Sequence, residues 1–345
     1  MGIAGAVRTL RDIRRTLRYG THFNHQVPRV APVHYEPLTE ELPIAPWLLG
    51  MYLGDGNDGN NVNITNRESD IRAKISDTLS EEDEATEVFY RNDFKGCRIK
   101  RRIKNNEPSE FKCAITNLGL GYCHSHEKFI PHQYLVASVE ERIELLQGLL
   151  DSDGFVTQPG RIEYCTTSVR LATDVTTLIR SLGGSVKVTT KTPKYTYKSE
   201  TREGRKAWRI FASFPSGIVP VSSEKHLAKW RSPEWAIRHT IRSVEYVARQ
   251  QCQCIVIDAL DSLYVTDDFI VTHNSTFGAS APSPIFLPTE DGLDQIDCES
   301  FPLSKTFDEF IGYLTALSAE EHSYRSVVID SIDWLERLIW SHACK

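Results

Sequence analysis

Two nine-residue stretches of the chain resemble each other, and both end in an aspartate followed by a glycine. Residues 48–56 read Leu-Leu-Gly-Met-Tyr-Leu-Gly-Asp-Gly, and residues 146–154 read Leu-Gln-Gly-Leu-Leu-Asp-Ser-Asp-Gly. The corresponding aspartates, Asp55 and Asp153, are 98 positions apart. Paired carboxylates can hold a hard cation such as Mg²⁺ against a scissile phosphate, where it activates water and stabilises the leaving oxygen. The repeat therefore predicts Asp55 and Asp153 as metal ligands and catalytic residues.

Each copy has the composition of an apolar helix with a glycine near its middle, Gly50 in the first and Gly148 in the second. A glycine inside a helix costs about 1 kcal/mol of helix stability relative to alanine. A glycine at this position would allow a second helix to pack closely, because it has no side chain to hold the two backbones apart. We therefore predict two helices packed side by side through these glycines, with Asp55 and Asp153 at neighbouring C-terminal ends. Acids related by a pseudo-twofold axis suit the two strands of duplex DNA.

The second copy contains Asp151-Ser152-Asp153-Gly154, which begins like a calcium loop. However, Phe155 stands where a third oxygen ligand belongs, and no acidic residue closes a twelve-residue loop. A core helix that ends in a turn would explain either copy alone. Two copies with basic segments between and after them favour the paired-aspartate site.

The net charge of −6 is divided unevenly along the chain. Residues 275–345 hold 4 basic and 12 acidic residues (−8), which leaves 36 basic and 34 acidic residues (+2) in residues 1–274. Basic residues of the longer part cluster in strand-like segments. A basic two-stranded ribbon fits the major groove of DNA, and a solvated sheet face is the alternative for either cluster alone. The predicted residues that bind double-stranded DNA are Lys100, Arg101, Arg102, Lys187, Lys191, Lys194, Arg205 and Arg209.

The repeat resembles the two LAGLIDADG (DOD-type) motifs of a monomeric homing endonuclease. Residues 127–131, Glu-Lys-Phe-Ile-Pro, resemble the lysine-bearing block between the motifs of intein endonucleases, and residues 163–168 resemble the strand that follows the second motif. The resemblance implies a duplicated αββαββα fold, a monomer, and Mg²⁺-dependent double-strand cleavage at a specific DNA site. It also implies that Lys128 helps to neutralise charge at the cleaved phosphate. A surface lysine is the alternative.

A second group of reactive residues, His273-Asn274-Ser275, follows two strand-like segments that an Asp-Asp turn separates. An asparagine amide nitrogen can attack its own main-chain carbonyl, which forms a succinimide and breaks the bond to the next residue. His273 can polarise that carbonyl or protonate the leaving amine. Ser275 can accept an acyl group as an ester. The three residue types in this order predict chemistry at the bond that follows Asn274.

This segment resembles the C-terminal splice junction of an intein, with Ser275 as the first residue of the flanking host protein. Residues 254–264 resemble the corresponding block of class 3 inteins, which use an internal cysteine as the nucleophile. The resemblance implies that Cys254 attacks the N-terminal splice bond and passes the upstream chain to Ser275, with Thr272 as its partner. A buried strand cysteine is the alternative for Cys254.

The N-terminal splicing half departs from the intein pattern. Residues 17–20 and 24–28 resemble only its later part, and the matching tryptophan and threonine-to-histidine block do not precede the endonuclease segment. We expect roughly the first third of the β-rich Hint splicing domain to be missing. A misassigned start, a separately encoded N-terminal intein half and decay of the element are the explanations left open.

The residues after Asn274 resemble part of a phage-type, RecA-like P-loop ATPase. Ser275-Thr276 would complete a Gly-x-x-x-x-Gly-Lys-Ser/Thr motif if a glycine and a lysine preceded the insertion. Residues 284–292 resemble the second strand of such an ATPase, and residues 326–333 resemble its Walker B strand, with Asp330 beside the magnesium. Ser275, Thr276 and Asp330 are thus predicted remnants of a nucleotide site, and ATP is expected only for the intact host protein.

The composition, 40% hydrophobic and 25% charged, is that of a soluble globular protein. Its longest nearly apolar stretch, Leu42–Gly54, is shorter than the roughly 20 residues of a membrane-spanning helix. Eight cysteines without an export signal favour free thiols. Cys123 and the nearby histidines lack a second ligand pair at finger spacing, so no zinc is predicted. We expect a cytoplasmic protein with no membrane partner.

The predicted fold class is α+β, in which a duplicated endonuclease fold is flanked by remnants of a Hint domain and followed by an incomplete α/β P-loop fragment. The predicted regions are an N-terminal splicing remnant (1–44), the endonuclease (45–235), the C-terminal splicing region (236–274) and the partial ATPase (275–345). The predicted function is site-specific cleavage of the host gene that lacks the insertion. The alternative is an inactive DNA-binding remnant fused to an ATPase fragment.

The asparagine chemistry predicts that Asn274→Ala blocks any release of residues 275–345, because alanine has no amide nitrogen to attack the main chain. Mass spectrometry of the purified chain over time measures this release. Release of the fragment at an unchanged rate would rule out asparagine cyclisation.

Overall fold

The computed structural model describes residues 10–90, 93–103, 107–158, 160–197, 200–232, 238–247, 263–273, 281–290, 293, 298–330 and 332–344. The chain forms two compact units. Val30–Ile237 make up one unit, which we call the central unit, and Met1–Arg29 with Arg238–Lys345 make up the other, the flanking unit. The predicted regions had placed boundaries at residues 44 and 235.

The helices of the described residues, numbered in chain order, are α1 (Leu10–Arg15), α2 (Pro46–Asp55), α3 (Ser69–Thr78), α4 (Glu110–Asn117), α5 (His132–Leu135), α6 (Val139–Asp153), α7 (Val169–Ser181), α8 (Glu224–Leu227), α9 (Phe307–Ala319) and α10 (Ile332–Ala343).

The strands, numbered in the same way, are β1 (Arg18–Tyr19), β2 (His22–Phe23), β3 (Gln26–Val27), β4 (Gly56–Asp58), β5 (Val62–Ile64), β6 (Asp83–Tyr90), β7 (Asp93–Arg101), β8 (Gly154–Gln158), β9 (Arg161–Thr166), β10 (Ser185–Lys191), β11 (Lys194–Tyr197), β12 (Glu200–Glu203), β13 (Ala207–Ser213), β14 (His239–Thr240), β15 (Leu263–Thr266), β16 (Ile270–His273), β17 (Pro284–Pro288), β18 (Glu299–Ser300) and β19 (Ser326–Asp330).

The central unit contains two four-stranded antiparallel sheets with the same strand order. The first sheet is ordered β4-β5-β7-β6 and the second β8-β9-β13-β10, so that in each the fourth strand lies between the second and the third. Each sheet starts directly at the end of a helix, α2 or α6, and a second helix, α3 or α7, connects its second and third strands. The predicted combination of helices with antiparallel sheets is confirmed in this unit.

The two motif helices, α2 and α6, pack against each other through their glycines. A Cβ on Gly50 would collide with the backbone carbonyl oxygen of Leu145 and come within 2.7 Å of Leu149 N. A Cβ on Gly148 would collide with the carbonyl oxygen of Trp47 and lie 2.9 Å from Met51 N. The predicted contact through Gly50 and Gly148 is confirmed, and it is a contact of backbone with backbone.

Local sequence explains where the motif helices begin. Pro46 occupies the first helical position of α2, where its missing N–H leaves no hydrogen bond unmade. Ser138 caps α6 by accepting a hydrogen bond from Glu141 N, and the Glu141 side chain accepts one from Ser138 N. Helix α2 is buried from Pro46 to Leu53, which agrees with its nearly continuous apolar sequence. Helix α6 has 8 buried residues out of 15, and the polar Arg142 and Asp151 are among them.

One hydrophobic core joins the motif helices to both sheets and to the outer helices. The apolar faces of α3 (Ile71 and Ile75) and α7 (Leu171, Val175 and Leu178) are buried in this core. Each sheet alternates between the core and solvent, as expected for antiparallel strands with one covered face. The core therefore fixes the ends of α2 and α6 relative to the exposed faces of both sheets.

The flanking unit contains short antiparallel pairs. Strand β15 pairs with β16. In a separate two-stranded sheet, β3 pairs with β14, so that residues from before and after the central unit in sequence are joined. The turn between β15 and β16 contains Asp268 in the left-handed conformation at φ 63°. The hairpin predicted around the Asp-Asp turn is thereby confirmed.

A three-stranded parallel sheet, ordered β18-β17-β19, forms the C-terminal part of the flanking unit. Leu287 on β17 is buried against Phe310 of α9 and Leu335 of α10. Parallel strands with helix connections are typical of α/β folds. In the described part of the chain, no helix combines the length and the apolar character that crossing a membrane requires.

The helix contact predicts opposite outcomes for two glycine substitutions. Gly148→Ala should lower the free energy of unfolding by about 1–3 kcal/mol, because the added methyl group meets backbone atoms that cannot rotate away. Gly312 lies inside α9 and has no atom within 4 Å of a Cβ, so Gly312→Ala should raise it by up to about 1 kcal/mol. Urea denaturation measures both, and a loss at Gly148 no larger than the change at Gly312 would contradict the packing argument.

Candidate active site at the ends of the paired helices

The structure brings the two predicted aspartates together. Gly54 of α2 packs against the Ser152 side chain, and a Cβ on Gly54 would lie only 3.4 Å from Asp153 Oδ2. Burial and the nearby charge of Asp153 raise the pKa of Asp55 to about 6, although Asn66 and Lys128 act in the opposite direction. Burial also raises the pKa of Asp153, which Lys128 opposes. Two partly desolvated carboxylates therefore share one site.

Asn66, which follows β5, is a contact of this site that the sequence analysis missed. Its Nδ2 donates to Asp55 Oδ2 at 3.4 Å, and its Oδ1 accepts from Glu68 N at 3.0 Å. The main-chain N–H of Thr65 donates to the Asp55 carbonyl at 3.1 Å. The only sequence signal was the position of Asn66 between a strand and a helix, where asparagine commonly forms local hydrogen bonds.

Lys128 lies inside the protein and reaches the end of α2. It is 2% exposed, and its Nζ donates to the carbonyl oxygens of Tyr52 at 2.7 Å, Leu53 at 3.2 Å and Gly56 at 2.6 Å. Burial lowers the pKa of Lys128 to about 8, against the effect of Asp153 and Asp55. The surface-lysine alternative is wrong, because the side chain is buried. Its ammonium group places a cation at the C-terminal end of α2, where the helix dipole is negative.

Asp151 belongs to the second motif but has a structural role. Its carboxylate accepts hydrogen bonds from Trp47 Nε1 at 3.2 Å, Ser222 Oγ at 2.6 Å and Ser223 N at 3.0 Å. His226 Nδ1 lies 3.5 Å from Asp151 Oδ1. These contacts hold the segment around α8 against α6. The corresponding position of the first motif is Leu53, so only the second helix has such an acid.

On the first sheet, strand alternation separates the predicted basic residues. Lys100 lies on the face away from the core, 3.2 Å from Glu84, and exposed Arg98 lies on the same face, 3.5 Å from Asn63 Oδ1. Arg101 is two residues along β7 from buried Ile99, so its side chain lies on the core-facing side of the sheet, opposite to Lys100. Arg98 was part of the basic cluster but not among the predicted DNA-binding residues.

Arg101 and Arg102 contact the protein itself. Arg101 lies 3.5 Å from Glu82 and 3.3 Å from Glu107. Arg102 donates to the main-chain carbonyls of Glu81 at 3.0 Å and Asp83 at 3.1 Å. These contacts fasten the start of β6 to the end of β7, and they do not place either guanidinium with Lys100.

On the second sheet, three predicted basic residues share the exposed face. Lys187 and Lys191 of β10 are each two residues from Thr189, so all three side chains lie on one face of the sheet. Thr189 pairs with Arg209 of β13, which therefore lies on the same face. The Arg209 guanidinium forms a bidentate pair with Glu163 of β9 at 2.5 and 2.9 Å. Hydrogen bonding by Arg209 lowers the pKa of Glu163. The three cations lie on the side of the sheet opposite the core.

The hairpin β11–β12 carries Lys194, and Arg205 follows the hairpin. Lys194 Nζ lies 3.6 Å from Glu203 Oε1, and both side chains are exposed. Arg205 is also exposed. These two residues therefore lie next to the second sheet in sequence, on a segment whose own glutamates balance part of the charge.

The predicted splicing residues are only partly within the described structure. Thr272 is on β16, opposite Tyr264 of β15, and the main chain of His273 pairs with Leu263. Cys254, Asn274, Ser275 and Thr276 lie outside the described residues. The roles proposed for these residues stay predictions.

Asp330 ends strand β19 of the parallel sheet and is buried. Its carbonyl oxygen accepts hydrogen bonds from Thr289 N at 2.7 Å and Glu290 N at 3.3 Å, which joins the carboxyl ends of β17 and β19. The carboxyl ends of parallel strands are where ligands bind in open α/β sheets. The position is the one that the Walker B resemblance requires, and nucleotide binding stays a prediction.

The paired aspartates fit Mg²⁺ better than a metal held by protein ligands alone. Among the described residues, no group of three or more His, Cys, Asp or Glu side chains could hold a metal ion. Mg²⁺ commonly uses one or two carboxylates together with waters and substrate phosphates. Asp55 and Asp153 supply such a pair, and the pKa of each is raised, chiefly by burial.

Comparison with known proteins gives two regional family matches. Residues 129–210 match the family model of homing endonucleases, and residues 274–345 match that of an AAA domain. The first match confirms the homing endonuclease resemblance for a region that contains Asp153 but not Asp55. The second confirms the resemblance of the C-terminal region to an ATPase fragment.

A curated relative and a solved structure were also compared. The replicative DNA helicase DnaB of Mycobacterium intracellulare is 29% identical over 284 residues, which are 79% of this chain and 42% of the helicase. The chain thus covers less than half the length of that relative. A structure of mesophilic variants of the homing endonuclease I-DmoI is 14% identical with a TM-score of 0.34, covering 53% of this chain and 97% of the other.

The buried contacts of Asp151 predict a pH-dependent contribution to stability. Burial alone would raise its pKa, but the hydrogen bonds from His226, Ser222 and Ser223 lower it to about 2. The ionised carboxylate therefore stabilises the folded state above its ordinary pKa of about 4, and this stabilisation is lost as the pH falls towards 2.

We expect Asp151→Asn to lower the free energy of unfolding by about 2 kcal/mol at pH 7, with a difference from the parent that shrinks below pH 4. Urea denaturation at pH 7, 4 and 3 measures this, with Asp77→Asn on the exposed side of α3 as the control. A constant difference at all three pH values would contradict the role given to the carboxylate.

Proposed function

We propose that the central unit is a LAGLIDADG-type site-specific DNA endonuclease that cleaves both strands of the host gene lacking the insertion, with Mg²⁺ as cofactor. The observation that carries the proposal is the pair of desolvated carboxylates, Asp55 and Asp153, at the ends of two helices packed glycine to glycine. The homing endonuclease match to residues 129–210 supports it. The repeated strand order of the two sheets supports a duplicated αββαββα fold.

Each residue of the site has a definite task in this proposal. Asp55 and Asp153 hold the divalent cation, which when bound stabilises charge on the leaving oxygen and helps to activate water. Asn66 orients the Asp55 carboxylate through its amide N–H. Partial desolvation of the two carboxylates strengthens the charge interactions between them and a bound cation.

Lys128 acts as a fixed positive charge. A lysine ammonium has three N–H donors, and all three have main-chain acceptors at the end of α2. A direct hydrogen bond to phosphate would require one of these contacts to break. We therefore propose that Lys128 helps to neutralise the developing charge through space, and that it keeps the end of α2 in position.

The exposed faces of the two sheets are the proposed DNA-binding surface. Lys187, Lys191 and Arg209 lie together on the second sheet, and Lys100 lies with Arg98 on the first. Basic side chains along paired strands can contact phosphates and base edges in the major groove. Two similar sheets suit the two halves of a duplex site, and we propose that one monomer supplies both.

We also propose that the endonuclease interrupts another folded unit as part of an intein. The AAA match begins at residue 274, where the predicted junction between Asn274 and Ser275 lies. Residues from both sides of the central unit pair in the small sheet β3–β14, which agrees with an insertion into one fold. Cys254 and Thr272 are the proposed splicing partners, and a separately encoded N-terminal half would complete that domain.

The metal role of the aspartates predicts loss of cleavage with retained binding. Asp55→Asn or Asp153→Asn should reduce Mg²⁺-dependent double-strand cleavage by at least about 100-fold, because each removes a charged ligand, while salt-sensitive DNA binding changes little. The assay uses DNA that carries the rejoined host gene and, as a second substrate, the same DNA with the intein coding sequence inserted.

Asp77→Asn on α3 is the control and should cut at the parent rate. Undiminished cutting by either active-site variant would overturn the assignment of Asp55 and Asp153. No cutting of either DNA by the folded parent protein would favour the alternative, a DNA-binding remnant fused to an ATPase fragment.

A further inference from the structure

Tyr164 carries a buried hydroxyl group beside the paired aspartates. It lies on β9 directly opposite Gly154, the residue that follows Asp153, and it is 1% exposed. Among the residues that the structure describes, its hydroxyl has no hydrogen-bond partner. A buried polar group without a partner costs free energy, so a hydroxyl at this place calls for a reason.

Other buried tyrosines of the central unit are satisfied. The hydroxyl of Tyr52 donates to the Leu120 carbonyl at 3.1 Å. The hydroxyl of Tyr134 donates to the Ile44 carbonyl at 2.8 Å and accepts from Ile44 N at 3.0 Å. Tyr164 differs from both, although its ring is equally buried.

The fold itself does not require a hydroxyl at this position. In the first sheet, the residue opposite Gly56 is Ile64, which is fully buried and apolar. Gly56 and Gly154 occupy corresponding positions after the two motif aspartates. The equivalent place in the two halves is therefore filled by isoleucine in one and by tyrosine in the other.

The strand pairing that places Tyr164 opposite Gly154 brings it near the two carboxylates, and their charges act on its hydroxyl. Burial and then the charges of Asp153, Cys165 and Asp55 raise its pKa well above the ordinary value. The phenol therefore stays protonated and keeps one O–H donor, within reach of the field of both carboxylates. A donor close to carboxylates, without a protein acceptor, is suited to holding a water molecule.

We propose that Tyr164 is a positioning residue of the paired-aspartate site, whose hydroxyl donates a hydrogen bond to a water molecule shared with the Asp153 carboxylate. The inference rests on the proposed function, in which Asp153 is a cation ligand. The water orients that carboxylate, so that the cation is held in one arrangement. Partners of this kind, one contact away from the metal, typically change metal affinity or activity by about 10–100-fold when they are removed.

Tyr164→Phe tests this role because it removes only the hydroxyl. We expect Mg²⁺ affinity, measured by isothermal titration calorimetry in the absence of DNA, to fall about tenfold. The melting temperature without Mg²⁺ should not fall, since the hydroxyl that is lost has no protein partner. The Mg²⁺ concentration that gives half-maximal cleavage should rise by a similar factor, with DNA binding in the absence of Mg²⁺ unchanged.

Tyr134→Phe is the matched control, since it removes a buried hydroxyl that makes two hydrogen bonds away from the aspartates. It should lower the melting temperature and leave Mg²⁺ affinity as in the parent. Equal losses of Mg²⁺ affinity in the two variants would overturn the proposal, and so would a Tyr164→Phe protein that binds Mg²⁺ within twofold of the parent or melts at a lower temperature.

Asp153→Asn separates the failure of this inference from that of the proposed function. If Asp153→Asn loses Mg²⁺ binding while Tyr164→Phe keeps it, only the role of Tyr164 is wrong. If Asp153→Asn binds Mg²⁺ as the parent does, the metal site itself is wrong, and the proposal for Tyr164 is overturned with it.

Discussion

Close packing of α2 on α6 is the constraint on which the rest of the central unit depends. Gly50 and Gly148 let the two backbones touch, and a Cβ at either position would collide with backbone atoms of the other helix. Because each helix runs directly into the first strand of a sheet, the contact also sets the relation between the two sheets. The aspartates at the helix ends are neighbours only because the backbones approach so closely.

This approach has an electrostatic cost that the surrounding residues offset in part. Two helix C-termini, each with its negative dipole end, meet beside two partly desolvated carboxylates. Lys128 places a cation against the end of α2, and Asn66 donates to Asp55. Asp151, in contrast, is satisfied by donors around α8 and does not add to the charge problem. The remaining negative charge is the reason for proposing a divalent cation at this site.

The sequence was sufficient for features that follow from local pattern. The hairpin at Asp268 and the mixture of helices with antiparallel sheets could be predicted, because each depends on turn chemistry or spacing within a short stretch. The contact between Gly50 and Gly148 joins positions 98 apart, and it could be predicted because the motif is repeated. Long-range contacts that no repeat indicates could not be predicted. Asp151 meets Ser222 across 71 positions, and the burial of Lys128 depends on carbonyls more than 70 positions away.

Charge clusters were the least reliable guide, since a run of basic residues does not reveal on which face each one lies. Arg101 and Lys100 are adjacent in sequence and on opposite sides of β7. Sequence also could not indicate that Arg102 would be used by main-chain carbonyls. The alternation of side chains along a strand separates its residues into two faces. To assign a basic residue to the exposed face, one must also know which face packs against the core.

The glutamates beside the exposed cations have a consequence for how the surface meets a polyanion. Lys100, Lys194 and Arg209 each already have a carboxylate within 4 Å, namely Glu84, Glu203 and Glu163. The protein thus carries its own counterions on the proposed DNA-binding surface. If DNA binds there, its phosphates compete with these glutamates for the cations, which lowers the gain from contacts with phosphate alone. Discrimination between DNA sequences would then depend on contacts with base edges and on the shape of the duplex.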